Sequence, residues 1–221
     1  MYSKENLDTV IYDRFIADFF TCSFHPGELL DPAELSNKYG VSRTPVVQAL
    51  KRLSNEKIID VLGNGRFRIP IPAEDTLWGI CRTRVLFEQE GARCLIHSQD
   101  KRQIDAMRRQ ADDCLLQIKA ANAYNSVKLD MDFHRMLVAS TNNACLRELY
   151  EITLNRFISI KYVLTGQYTT QLVGAERHVE LMNQIEAKNT DRAMTIIEDH
   201  IMGAMNTMVR IIRETDASAA V

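Results

Sequence analysis

All five prolines of this 221-residue chain, Pro26, Pro32, Pro45, Pro70 and Pro72, fall between residues 26 and 72, and residues 73–221 contain none. A proline inside a helix removes a backbone donor and costs about 3 kcal/mol. The long proline-free remainder, rich in leucine and methionine and with only five glycines, is therefore open to helix throughout. Pro70-Ile71-Pro72 can continue neither a helix nor a central strand, so it marks a linker. Two domains are expected, residues 1–72 and residues 73–221, which suits the length. With 46% hydrophobic and 25% charged residues the chain can bury a core and is not disordered. No apolar run reaches membrane-spanning length, and the opening MYSKENLDTV lacks the apolar centre of a secretion signal. Cys22, Cys81, Cys94, Cys114 and Cys145 are odd in number and include no C-x-x-C pair. That argues against a disulfide framework or a thiolate zinc site and for a reducing cytoplasm.

Residues 7–20 carry apolar groups at Val10, Ile11, Phe15, Ile16 and Phe19, the spacing of an amphipathic helix. Asp31-Pro32-Ala33-Glu34 then opens a second helix, with Asp as N-cap and Pro at the first helical position, and Gly40 ends it. Ser42 can cap a third helix over Arg43 to Glu56, whose Val46, Leu50 and Leu53 form an inward stripe. A short helix, a glycine turn and a longer helix make the helix-turn-helix pattern. Ile58-Ile59-Asp60-Val61 and Phe67-Arg68-Ile69 flank Gly63-Asn64-Gly65, a strong hairpin signal that reads as a wing. The whole chain has a formal net charge of −2, yet residues 38–72 carry a local net of +5, from Lys38, Arg43, Lys51, Arg52, Lys57, Arg66 and Arg68 against Glu56 and Asp60. Release of counterions favours such a patch on a phosphate backbone.

The order Pro26-Gly27-Glu28-Leu29-Leu30, Glu34-Leu35-Ser36, Gly40-Val41-Ser42-Arg43-Thr44-Pro45-Val46 and Ala49-Leu50-Lys51-Arg52-Leu53 resembles the winged helix of GntR-family transcription regulators. The resemblance implies double-stranded DNA as partner, approached by Arg43, Thr44, Arg52 and the wing residue Gly65. The family usually follows Thr-Pro-Val with Arg-Glu, where this chain has Val47-Gln48. An arginine there would read a guanine edge, whereas Val47 offers apolar contact, for instance to a thymine methyl. Lys57 stands where a helix-ending glycine is usual.

Residues 73–221 can be laid out as amphipathic helices at about 74–97, 100–122, 124–141, 143–165, 168–188 and 191–214, an antiparallel bundle of six or seven helices. Ile104, Met107, Ala111, Leu115 and Ile118 form a clear inward stripe in the second. Trp78, Met182, Met194, Met202, Met205 and Met208 read as core, and His25 and His97 as exposed. Asp130 and His134 lie four apart and share a helix face. His178 and His200 are symmetric about the turn Asn189-Thr190, so in an antiparallel hairpin they stand at the same height. Three histidines and a carboxylate suit a divalent ion such as Zn²⁺, Ni²⁺ or Mn²⁺; hydrogen-bonded core histidines are the alternative. The run Asp130-x-x-Phe133-His134, Ser140-Thr141-Asn142, Glu176-x-His178, Ile185, Asp191-x-Ala193 and His200 resembles the all-helical, FCD-like effector domain of the FadR-type branch of GntR regulators. That resemblance implies a metal held by Asp130, His134, His178 and His200. It also implies that Arg84, in the pattern Arg84-x-x-x-Glu88, faces a cavity and pairs with a ligand carboxylate; an i,i+4 surface pair with Glu88 is the alternative.

The fold expected is mainly α, a winged helix-turn-helix with a small β-hairpin followed by the helical bundle. The function expected is a cytoplasmic, homodimeric, ligand-responsive DNA-binding repressor answering to a small carboxylate effector. Dimerisation is expected because helix-turn-helix readers bind half-sites about 34 Å apart. The other class is a metal-dependent hydrolase or similar helical metalloenzyme with an accessory DNA-binding domain. No general base in the metal motif and the presence of a complete winged helix count against it, and no enzyme is expected.

Overall fold

The structure, a computed structural model, describes residues 7–20, 24–120, 123–165 and 172–219; Cys22 lies outside them. It is mainly helical. The order is α1 (Leu7–Phe20), β1 (Leu29–Leu30), α2 (Pro32–Tyr39), α3 (Arg43–Asn55), β2 (Asp60–Val61), β3 (Phe67–Arg68), α4 (Glu74–Ser98), α5 (Lys101–Lys119), α6 (Ala123–Ala139), α7 (Ala144–Thr165), α8 (Leu172–Glu186) and α9 (Thr190–Ala219). None of the described helices is long and apolar enough to cross a membrane. The chain packs as two compact units, residues 1–77 with 155–167 and 211–221, and residues 78–154 with 168–210.

In the first unit the caps written in the sequence set the helix ends. The Asp31 side chain accepts from Ala33 N, Pro32 occupies the first helical position, and Gly40 closes α2 in the left-handed conformation. Ser42 takes the extended N-cap conformation before α3 but makes no side-chain capping bond. It is exposed, so water can serve the free amides. The inward stripe of α3, Val46, Leu50 and Leu53, is buried where α3 packs on α1, whose Ile11, Phe15 and Phe19 are buried too, as are the wing residues Phe67 and Ile69. The sheet is antiparallel in the order β1-β3-β2, so β3 is central. The extra strand β1 was not foreseen, because two leucines carry no alternation to read. The end of α7 joins this unit: Ser159 Oγ donates to the Ile58 carbonyl at 2.6 Å, and the Tyr162 ring meets Phe19 edge-on at 5.9 Å.

In the second unit α4 and α6 cross at Gly91, where a Cβ would fall 2.1 Å from the Leu137 carbonyl oxygen. Only glycine permits that approach. The buried row of α5 is Ile104, Met107, Ala111 and Cys114, while Leu115 and Ile118 sit half-buried at its edge. Met182, Met205 and Met208 are core, and Met194 and Met202 lie at its margin. Trp78 corrects the expectation of a core residue: it is 46% exposed, with Arg82 over its ring. The buried neighbour, Leu77, takes the inward position on that turn. His25 and His97 are exposed.

Candidate metal centre and nucleic-acid interface

The amphipathicity of α3 buries one side and leaves Arg43, Thr44, Gln48 and Lys51 exposed, with Val47 half-buried among them. Arg43, Val47 and Lys51 follow one another at intervals of four and so line one face. Arg43, Lys51, Lys57 and Arg66 make no ion pair among the described residues, whereas Lys38 pairs with Asp18, Arg52 with Glu56 and Arg68 with Asp60. Arg52 lies nine positions after Arg43, about half a turn round the helix. Its guanidinium covers the Tyr12 ring at 3.9 Å while Nε donates to Glu56 at 2.9 Å, and Tyr12 donates its hydroxyl to the same carboxylate. Arg52 therefore fastens α3 to α1, although its side chain remains 48% exposed. At the wing tip Gly65 takes φ +76° and donates its amide to the Leu62 carbonyl at 2.8 Å, and Asn64 Oδ1 accepts from Arg66 N. Lys57, at the end of α3, adopts φ +63°, the conformation a glycine would take more easily.

The second unit brings Asp130 and His134 of α6, His178 of α8 and His200 of α9 together. His200 Nε2 lies 3.3 Å from both His134 Nε2 and His178 Nε2. Asp130 Oδ1 stands 3.5 Å from His178 Nε2 and 4.0 Å from His134 Nε2. Asp130, His134 and His178 are buried and His200 is half-buried by area, its ring stacked on His134. Burial pushes the His178 imidazole down to about 3 against the opposing pull of Asp130. Burial, with His178 and His134 adding to it, also holds His200 well below its ordinary value. Both rings are thus neutral at physiological pH, the form in which imidazole binds a metal.

A buried network orients the first of these rings. His134 Nδ1 stands 2.7 Å from Glu88 Oε2. Glu88 Oε1 accepts from Tyr150 at 2.7 Å and from Arg84 Nε at 2.9 Å. Burial alone would raise the Glu88 carboxyl, but the Arg84 guanidinium and His134 outweigh it and hold it well below the carboxylate range. An ionised carboxylate can only accept, so the hydrogen of His134 sits on Nδ1 and the Nε2 lone pair faces the cluster. The Arg84–Glu88 pair corrects the surface alternative: the two residues are 2% and 1% exposed. The charges can be buried because each is paired and hydrogen-bonded.

The donor set fits a divalent cation. Two nitrogens bound to one ion at about 2.0–2.1 Å stand roughly 3 Å or a little more apart, close to the observed 3.3 Å. His178 Nδ1 is buried without a hydrogen bond among the described residues, so this ring gives up a partner on one side while its Nε2 faces the cluster. Sequence reasoning missed three residues here. Glu88 was noted only for Arg84, and its link to His134 spans 46 positions. Tyr150 gave no motif. Cys114, whose sulfur lies within 4.8 Å of Asp130 and His178 donor atoms, could have been found by continuing the α5 stripe one step past Ala111.

Residues 7–69 match the family of bacterial regulatory proteins, gntR family, and residues 80–203 match the FCD domain family. The chain is similar to the Nta operon transcriptional regulator of Aminobacter aminovorans, with 25% identity over 86% of this chain and 89% of that protein. It is 22% identical to the HTH-type transcriptional repressor NanR of Escherichia coli K12, over 80% of this chain and 75% of that one. Among solved structures, E. coli McbR/YncC superposes with a TM-score of 0.73 at 16% identity, over 95% of this chain and 99% of that one, a likeness of fold.

Proposed function

The chain belongs to the gntR family of bacterial regulatory proteins and carries an FCD domain, and from that premise we propose a transcription repressor whose helical domain senses a small carboxylate at a metal centre. The matched families and relatives are regulators of transcription, not enzymes, which sets the metalloenzyme reading aside. The observation that carries the proposal is the convergence of the three imidazole Nε2 atoms of His134, His178 and His200 inside the helical unit, with the Asp130 carboxylate beside those of His178 and His134. Asp130, His134, His178 and His200 hold the ion, and Glu88 fixes the tautomer of His134. A Zn²⁺, Ni²⁺ or Mn²⁺ ion there supplies coordination positions for an anionic effector. Arg84 lies in the same buried network, so an effector carboxylate would share its guanidinium with Glu88.

In the DNA-binding domain, residues 1–72, Arg43 and Thr44 enter the major groove, Lys51 and Arg66 take phosphates, and Gly65 lets the wing approach the backbone. Arg52 steadies α3 on α1 and presents its remaining exposed surface to phosphate. Two chains, paired through residues 73–221, read two half-sites of an operator in the cytoplasm. The effector can shift the DNA-competent arrangement by no more than its difference in affinity between the two arrangements. The test is elemental analysis of the purified protein, followed by operator titrations with and without chelator and a panel of small carboxylates. One divalent ion per chain and a carboxylate effect that chelation abolishes are expected. A metal-free protein with an intact carboxylate response would overturn the proposal.

A further inference from the structure

The buried row of α5 ends on a thiol beside the metal cluster. Cys114 Sγ, an oxygen of Asp130 and a ring nitrogen of His178 lie within 4.8 Å of one another, and all three residues are buried. Their donor types differ: a borderline nitrogen, a hard oxygen and a soft sulfur. We propose that Cys114 is a further donor at the border of the centre, so that the site favours a thiophilic divalent ion of the Zn²⁺ or Cd²⁺ kind over Mn²⁺. The inference rests on the metal reading above and goes beyond it by naming the class of ion. Imidazole and carboxylate alone serve both kinds of ion, whereas thiolate selects the softer one. A sulfur bound at about 2.3 Å and a nitrogen at about 2.0–2.1 Å on one ion stand roughly 3–4 Å apart. The sulfur reaches donor atoms of Asp130 and His178 within 4.8 Å, so it borders the ion on their side of the cluster. Ligation exchanges the S–H bond for a sulfur–metal bond, and the proton leaves to water.

The full chain, stripped with chelator and reloaded with Co²⁺, tests this. Visible d–d bands report an ion at the histidines, and a near-ultraviolet charge-transfer band reports a thiolate ligand. Wild type is expected to show both. Cys114→Ser should keep the visible bands and lose the near-ultraviolet one, and its preference for Cd²⁺ over Mn²⁺ in direct competition should fall by about tenfold or more. Visible bands without the near-ultraviolet band in wild type would overturn the inference while leaving the metal reading standing. A charge-transfer band that survives in Cys114→Ser would place the sulfur elsewhere and overturn it too. No cobalt spectrum at all would overturn both. Should Cys114→Ser fail to fold, Cys114→Ala gives the same readout, and the wild-type spectrum decides by itself.

Discussion

At the scale of the residue, the site is a set of groups whose protonation states are fixed by what surrounds them. His178 and His200 are held below the free imidazole value, chiefly by burial. The sign of the consequence follows from where each state takes up protons. An unfolded histidine gains its proton near pH 6.5, whereas folded His178 resists until about 3. Between those values the unfolded chain binds more protons, so stability is fully present above about pH 6.5 and is lost as the pH falls toward 3. Each imidazole contributes a slope of up to about 1.4 kcal/mol per pH unit. Glu88, also held low, adds a loss of the same sign below the ordinary carboxylate range. Melting of the chelator-treated protein should therefore fall steadily from pH 7 to pH 5, and His200→Asn should flatten part of that fall. A melting temperature independent of pH over that range would mean that the imidazoles are not shielded as the geometry requires.

At the scale of the element, much was legible because helix ends are written locally. Asp31-Pro32 and Gly40 bracket α2 as their chemistry demands, and the Asn-Gly turn announces the wing. The symmetry of His178 and His200 about residue 189 was legible because an antiparallel pair of helices has only one way to pair heights. What was not legible depends on partners remote in sequence. β1 exists because β3 has two edges to satisfy; Trp78 faces out because Leu77 takes the inward position. The α4–α6 crossing is of this kind as well. Glu88 meets His134, and three residues further along each helix Gly91 meets Leu137, so one close contact sets the register of the other. Two glycines should accordingly fail in different ways. Gly91→Ala drives a methyl into the Leu137 carbonyl and separates the helices. A loss of about 1–3 kcal/mol, seen as a lower melting temperature, should come with weaker metal binding as His134 loses Glu88. Gly65→Ala places its methyl in open space and meets only the strain of positive φ, about 1–2 kcal/mol at a wing tip. Its operator affinity should drop while metal content stays at the wild-type level. If Gly91→Ala melts and binds metal like wild type, the close crossing does not position the site.

At the scale of the whole molecule, the residues of the two proposed activities lie in different compact units: Arg43 in the first, and Asp130, His134, His178 and His200 in the second. That separation makes the regulatory proposal divisible by mutation. Arg43→Ala removes an exposed side chain with no ion pair among the described residues, so it should cost about 1–3 kcal/mol of operator binding and leave metal content and melting unchanged. His178→Ala removes a donor from the centre of the cluster. It should lower metal content and abolish the stabilisation that metal gives, which at a hundredfold excess over Kd amounts to about 2.7 kcal/mol. Its DNA affinity in the absence of effector should remain, because α3 and the wing take no side chain from the cluster. What should vanish is the change in that affinity on adding a carboxylate. The combination discriminates between mechanisms that single measurements confuse. A chain merely destabilised by the loss of His178 would lose operator binding and effector response together. A chain in which the metal only braces the bundle would lose melting temperature but keep the response once refolded at lower temperature. Only a metal that anchors the effector predicts retained binding with a lost response, and operator titrations of both variants at two temperatures, with metal analysis alongside, separate the three.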